Sequence, residues 1–295
     1  MSTLLERLAG GRVLVSDGAM GSFLQSEGLP AGASPESWCL ERPTVVRGVA
    51  EAYLAAGSDM VLTNSFGGSP LKLARHGLAE RAGELNRVAA MLAREAAGSE
   101  GLVAGSVGPT GRILRDEGGD TDPAALYEAF SVQVAGLAEG GVDAICVETM
   151  SSLPEALAAV RAAKDHTALP VFCTFSFALG RRGFRTMMGV APELAAREAA
   201  AAGADVIGTN CGNGIENMIE IVRQMRVAVP DRPILAQANA GMPELLDGST
   251  VYPETPEFMS SRVGELIAAG ANIVGGCCGT TPRHISAIAA AARAR

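Results

Sequence analysis

Residues 272–282 read NIVGGCCGTTP. An apolar run passes through two glycines into adjacent cysteines and then into Thr-Thr-Pro ahead of an alanine-rich stretch. A strand buried on both faces of a parallel sheet reads as a short continuous apolar run. Proline fits the first helical position, where its missing N–H is not needed. The segment is therefore strand, turn, helix. The same unit recurs back through the chain. Strands are expected at 13–16 before DGAMGSF, at Met60–Leu62 before TNSFGG, and at 102–105 before SVGPTG. Others fall at 144–147 before ETM, Val171–Phe175 before SFALGRRG, 206–208 before TNCGNG, and 234–236 before QANAG; the last is 272–275. Helices are expected at 43–56, 70–98, 123–140, 154–166, 192–203, 214–229 and 256–270, and from Pro282 onward. Pro123, Pro154, Pro192 and Pro282 mark starts; Gly57, Gly140, Gly203 and Gly270 mark ends. Eight such units in series predict an α/β fold, a (β/α)8 TIM barrel forming one domain over residues 1–295. An open doubly wound sheet is the alternative, but it needs a topological switch point that nothing marks.

The composition suits that core. Hydrophobic residues make up 48% of 295 and aromatics only 4%, so Ala, Val, Leu and Ile must fill the interior, and global disorder is excluded. The formal net charge of −8 argues against a nucleic-acid partner. No apolar run reaches about 18 residues, so no membrane association is expected. The opening MSTLLERLAGG lacks the apolar stretch of a secretory signal. Six cysteines are too sparse for a disulfide scaffold, and reduced thiols in a cytoplasmic protein are expected. No linker tract divides the chain, and no internal repeat is evident. The irregular stretches 18–42 and 110–123 belong on the carboxyl face of the barrel, where active sites form.

Asp17, Asn64, Glu148, Cys211, Asn239, Cys277 and Cys278 all sit at or just past the carboxyl ends of expected strands, hence on one rim. Cys211, Cys277 and Cys278 would give three thiolates, a soft set suited to Zn²⁺ that leaves the fourth tetrahedral position open. The competing reading is three small buried hydrophobes; a disulfide between adjacent cysteines would be a strained ring. Asp17 beside the backbone N–H groups of Gly18 and Ala19 suits the zwitterionic head of an amino acid, with Glu148 as a second ammonium partner. Either carboxylate could instead cap a helix or join a salt bridge. Cys146 and Cys173 read as buried strand residues, and Cys39 as half-buried or free beside Trp38. His76 and His166 read as surface residues, and His284 as a local hydrogen-bonding group. Two other classes stay open on these residues. One is a zinc hydrolase on the same barrel, for which no general base is evident. The other is a structural zinc staple, which would need a fourth ligand.

The motifs DGAMGSFLQ (17–25), TNSFGG (63–68), GSVGPTG (105–111), GTNCGNG (208–214), NAGMP (239–243) and GGCCGTTPRHI (275–285) resemble those of the homocysteine S-methyltransferases across nearly the whole chain. The wording is nearest to the homocysteine module of cobalamin-dependent methionine synthase. The resemblance implies zinc on Cys211, Cys277 and Cys278, with homocysteine sulfur as the fourth ligand and methionine as product. It implies that the amino-acid head rests on Asp17, Gly18, Ala19 and Glu148, and that Asn239 can hold the metal before substrate arrives. Betaine users of the family carry an aromatic cage; the matching positions here are Ser34, Gly67 and Thr149, none aromatic. The expected donor is a methylated corrinoid, methylcobalamin carried on a separate partner protein. The alternatives are a sulfonium such as S-methylmethionine, and the reverse task of loading methyl onto a corrinoid.

Overall fold

The computed structural model describes residues 4–246 and 249–294. Eight parallel strands form the barrel wall: β1 (Leu14–Val15), β2 (Met60–Leu62), β3 (Leu102–Val107), β4 (Ala144–Met150), β5 (Val171–Phe175), β6 (Val206–Asn210), β7 (Ile234–Ala238) and β8 (Ile273–Gly276). Helices α1 (Pro43–Ala55), α2 (Ala82–Ala97), α3 (Pro123–Glu139), α4 (Leu153–His166), α5 (Pro192–Ala201), α6 (Ile215–Ala228), α7 (Pro256–Ala268) and α8 (Pro282–Arg293) cover it. Pairing runs in chain order from β2 to β8, and β8 then pairs with β1. The (β/α)8 barrel is as expected.

Side-chain alternation divides the core into two layers. Leu14, Met60, Leu102, Cys146, Phe172, Val206, Leu235 and Ile273 fill the barrel interior. The helix Leu4–Ala9 plugs its amino-terminal end through Leu4 and Leu8. Neighbouring strand residues, Val15, Val61, Val103, Ile145, Cys173, Ile207 and Val274, face outward into the helix layer. There Ala156, Ala159 and Ala163 of α4 are fully buried, and their small size lets that helix lie close on the sheet. Each large aliphatic side chain buried in this way contributes about 1.5–3 kcal/mol.

The seam between β1 and β2 is the one junction without a regular ladder. It is closed by side chains. Asp59 N–H donates to Val15 O at 2.7 Å, and Asp59 Oδ2 accepts Val15 N–H at 2.9 Å. At the carboxyl end, Asp17 Oδ2 accepts Leu62 N–H at 2.7 Å.

The Asp59 device proves to be a repeat that the sequence reading overlooks. Asp143, Asp205 and Asn272 stand at the same place before β4, β6 and β8. Each accepts the N–H of the neighbouring odd-numbered strand, from Val103, Val171 and Ile234, at 2.8 to 3.0 Å. Each is also held by a cation: Arg12 for Asp59, Arg94 for Asp143, Lys164 for Asp205 and Arg226 for Asn272. Two residues earlier stands a glycine with φ between 89° and 117°: Gly57, Gly141, Gly203 and Gly270. This left-handed turn is open to glycine at low cost.

Several boundaries differ from expectation. β3, β4, β6 and β7 run two or three residues longer than their apolar cores, because the ladder continues into polar residues such as Ser106, Glu148 and Asn210. The expected helix 70–98 is broken into Pro70–Leu73, two single 3₁₀ turns and α2, with Gly77 left-handed at φ 69°. The stretch 18–42 contains helices Met20–Ser26 and Trp38–Glu41. Two β-hairpins not foreseen, Ala178–Gly180 with Gly183–Arg185 and Glu244–Leu246 with Ser249–Val251, rise from the loops after β5 and β7. No described helix is long and apolar enough to cross a membrane.

Candidate metal centre and its cavity

The carboxyl ends of the strands surround a cavity of about 480 Å³ whose wall includes Asp17, Gly18, Ala19, Glu148, Cys211, Cys277 and Cys278. Residues far apart in the chain meet here because β6 and β8 flank β7. The Sγ atoms of Cys211, Cys277 and Cys278 lie within 4.8 Å of one another, and Cys211 and Cys278 are 3.8 Å apart. A tetrahedral zinc with Zn–S bonds of about 2.3 Å separates its sulfurs by about 3.8 Å, so the donor set fits the ion in chemistry and spacing. Among the described residues, no further His, Cys, Asp or Glu joins the set.

The backbone around the sulfurs is held from several sides. Cys211 sits at φ 60°, a left-handed conformation unusual for a non-glycine residue. Its N–H donates to Gln237 O at 3.1 Å. Cys277 N–H donates to Ala238 O at 2.7 Å, and Ala240 N–H donates to Cys278 O. Glycine is required at 279: φ is 79°, and a Cβ there would lie 2.1 Å from Cγ of Tyr252. Hydrogen bonds from Cys211, Cys277 and Tyr252 pull the Cys278 thiol far below its usual range. Cys277 is pushed up by Cys211 and Cys278 and by burial. Three crowded sulfurs hold one negative charge easily and further ones only with a cation among them.

Burial pushes the Asp17 carboxyl up to about 7, against the hydrogen bonds from Leu62 N–H and Ser16 Oγ. Burial also raises Glu148 to about 7, reinforced by the charges of Asp17 and Cys211. Ser106 Oγ donates to Glu148 Oε1, and Asn210 Nδ2 donates to Oε2 at 3.0 Å. Asn210 Oδ1 accepts Thr149 N–H at 2.8 Å and so ties down the second left-handed residue of the rim, φ 60°. Two buried acids with elevated pKa values beside a metal-type donor set are the pattern of a functional site.

The other candidates divide. Ala19 N–H is engaged by Thr280 Oγ1 at 3.2 Å. Asn239 is buried with Oδ1 unpaired and does not line the cavity. Asn64 lines it, its Nδ2 bound to Pro35 O at 2.7 Å. Ser34, Gly67 and Thr149 line it too, which puts no aromatic ring at the positions of the betaine cage. Cys39, Cys146 and Cys173 are fully buried. His166 is exposed, and His76 is exposed at the cavity mouth. His284 caps its own helix with Thr281 and meets Glu254 O at 3.0 Å. Gln237, Tyr252, Ser106, Asn210 and Thr280 are site residues that the sequence reading missed. Gln237, Thr280, Ser106 and Asn210, inside the QANAG, CCGTTP, SVGPTG and TNCGNG motifs, carried a positional signal; Tyr252 carried none.

A family model for homocysteine S-methyltransferase matches residues 14–292. The chain belongs to the homocysteine S-methyltransferase family. Among curated family relatives, methionine synthase of Mycobacterium tuberculosis is 32% identical over 95% of this chain, and that of Mycobacterium leprae is 33% identical over 98%. The chain spans about a quarter of the length of these two, 24% and 25%. Among solved structures of the family, the metallated homocysteine methyltransferase MmuM of Escherichia coli superposes with a TM-score of 0.80 at 25% identity, covering 97% of this chain and 99% of that one. A methyltransferase from Methanosarcina mazei shares the fold, with a TM-score of 0.63 at 12% identity.

Proposed function

We propose that this chain is a zinc-dependent homocysteine S-methyltransferase that forms methionine. One observation carries the reading: three sulfurs at zinc spacing share a cavity with two buried carboxylates. An aminothiol has the matching ends, a thiol for the metal and an ammonium for the acids. In this reading Cys211, Cys277 and Cys278 hold the zinc. Lewis acidity is what zinc supplies there, favouring the thiolate of homocysteine near pH 7, where a free thiol, with a pKa of about 8.5, is mostly protonated. Asp17 and Glu148 take the ammonium, and the backbone N–H groups at Gly18 and Ala19 border the carboxylate. Since Ala19 N–H already serves Thr280, Gly18 is the main donor. Asn239, just behind the cavity wall with an unpaired oxygen, would offer the metal an oxygen donor in the absence of the thiol. The substrate sulfur displaces the methyl group from its donor, the S–C bond forming as the methyl–donor bond breaks and its electron pair leaves with the donor. The protein's contribution is alignment of sulfur, methyl and leaving group.

The donor in this reading is a methylated corrinoid presented by a partner protein. Its support is the mouth of the barrel. Leu179 and Met187 after β5, and Met242 and Leu245 after β7, are exposed apolar side chains, Met187 at 86%. Exposed apolar groups on the loops at the carboxyl ends of the strands suit a docking protein better than a small cation. The test is a donor screen on zinc-loaded protein with homocysteine, comparing methylcobalamin, S-methylmethionine, S-adenosylmethionine and betaine. Methionine from methylcobalamin is expected. Turnover with S-methylmethionine alone would replace the corrinoid by a sulfonium, and methionine from none of the four would remove the activity itself.

A further inference from the structure

Gln237 lies on β7, only 3% exposed, in the wall of the cavity that also holds Asp17 and Glu148. Its backbone carbonyl receives Cys211 N–H. Its side chain begins a directed relay: Gln237 Nε2 donates to Ser16 Oγ at 3.0 Å, and Ser16 Oγ donates to Asp17 Oδ1 at 3.2 Å. The direction is dictated by chemistry. With an ammonium bound, Asp17 is ionised and only accepts, so the Ser16 hydroxyl must donate to it, and the Ser16 oxygen must then accept from an amide N–H. This fixes the amide orientation and leaves Oε1 over. Gln237 Oε1 is buried and has no hydrogen-bond partner. A buried acceptor without a donor is costly, and in a cavity wall it marks a place where a ligand brings one.

We propose that Gln237 is a specificity residue whose Oε1 accepts one N–H of the substrate ammonium, so that Asp17, Glu148 and Gln237 together read a primary amine. This deepens the homocysteine reading above and rests on it. A primary ammonium carries three N–H donors, one for each of the three groups. Two carboxylates alone select for positive charge and would hold a tertiary ammonium nearly as well. A neutral amide oxygen gains nothing from charge alone and needs an N–H pointing at it. The set therefore counts donors as well as charge.

The test uses the zinc-loaded full chain and titration calorimetry with homocysteine, with Nα,Nα-dimethylhomocysteine, and with 4-mercaptobutanoate. The dimethyl compound keeps the charge and loses two donors; the mercapto acid has no amine. Wild-type protein is expected to bind the dimethyl compound more than about 100-fold more weakly than homocysteine, since two hydrogen bonds from a charged donor are lost at roughly 10-fold or more each. Gln237→Met is expected to retain one zinc, to weaken homocysteine by the roughly 10-fold or more of one such bond, and to leave 4-mercaptobutanoate binding as in wild type. If Gln237→Met does not fold, Gln237→Leu is read in its place. Wild-type protein that binds homocysteine and the dimethyl compound within about threefold overturns the assignment while the functional reading stands. Wild-type protein that ignores homocysteine overturns both. An unchanged homocysteine affinity in folded, zinc-loaded Gln237→Met overturns the assignment alone.

Discussion

Replacing Glu148 by glutamine is expected to stabilise the substrate-free protein at alkaline pH while weakening the substrate. Burial raises the Glu148 carboxyl from 4.5 to about 7. The folded state therefore binds a proton that the unfolded chain has released, and stability falls as pH rises through that window, levelling off above it. The full displacement corresponds to about 3 kcal/mol. Between about pH 5.5 and about pH 8, about 2 kcal/mol of it is read in the metal-free protein. Glutamine can keep both local bonds. Its Oε1 accepts from Asn210 Nδ2, and its amide N–H donates to Ser106 Oγ, which rotates to accept. It cannot ionise, so the penalty vanishes. The assay is urea denaturation of metal-free wild type and Glu148→Gln at the two pH values, together with homocysteine titration of the zinc-loaded proteins. The advantage of the variant should grow by about 2 kcal/mol from the lower to the higher pH, and its homocysteine affinity should drop. Parallel pH profiles would refute the view that an uncompensated buried charge sits at this position.

Cys277→Ala should lower bound zinc from one to well under one per chain and abolish methionine formation, with the far-ultraviolet circular dichroism unchanged; metal analysis and a product assay check it. Asp17→Ala should weaken homocysteine without lowering zinc content. It should also cost about 1–3 kcal/mol in denaturant midpoint analysis, because Leu62 N–H loses its acceptor at the seam. Asp143→Ala, at the opposite end of the barrel, leaves Val103 N–H unpaired and Arg94 without its carboxylate. It should cost a similar amount of stability while leaving KM for homocysteine as in wild type.

The strand positions were legible because parallel strands buried on both faces leave an unmistakable trace, short Val- and Ile-rich runs ending in Gly, Asn or Cys. The helix breaks at 74–81 were not, since alanine-rich sequence satisfies the helical pattern whether or not Gly77 turns it. The hairpins after β5 and β7 were missed because their residues alternate too briefly to stand out from loop. The sulfur set was legible from position alone: cysteines past the ends of strands six and eight have to share a rim. Tyr252 was invisible for the opposite reason, and Asn210, though inside TNCGNG, gave no sign of its partners. Their importance comes from tertiary approach, to Gly279 and Cys278 in one case and to Glu148 and Thr149 in the other. The clamp repeat escaped because its signature is only a glycine and an Asp or Asn two residues later, too sparse to register until four copies line up in space.

Asp17 latches β1 to β2 with one oxygen and accepts a hydrogen bond from Ser16 with the other, in the wall where the amine is proposed to dock. Closing the ring and greeting the ligand therefore draw on the same few atoms. An occupied site should quieten the breathing of that junction, so amide exchange at Leu62 becomes a reporter of what lies several residues away. Evolution cannot retune the recognition of one end of the substrate here without also retuning how tightly the cylinder is buttoned.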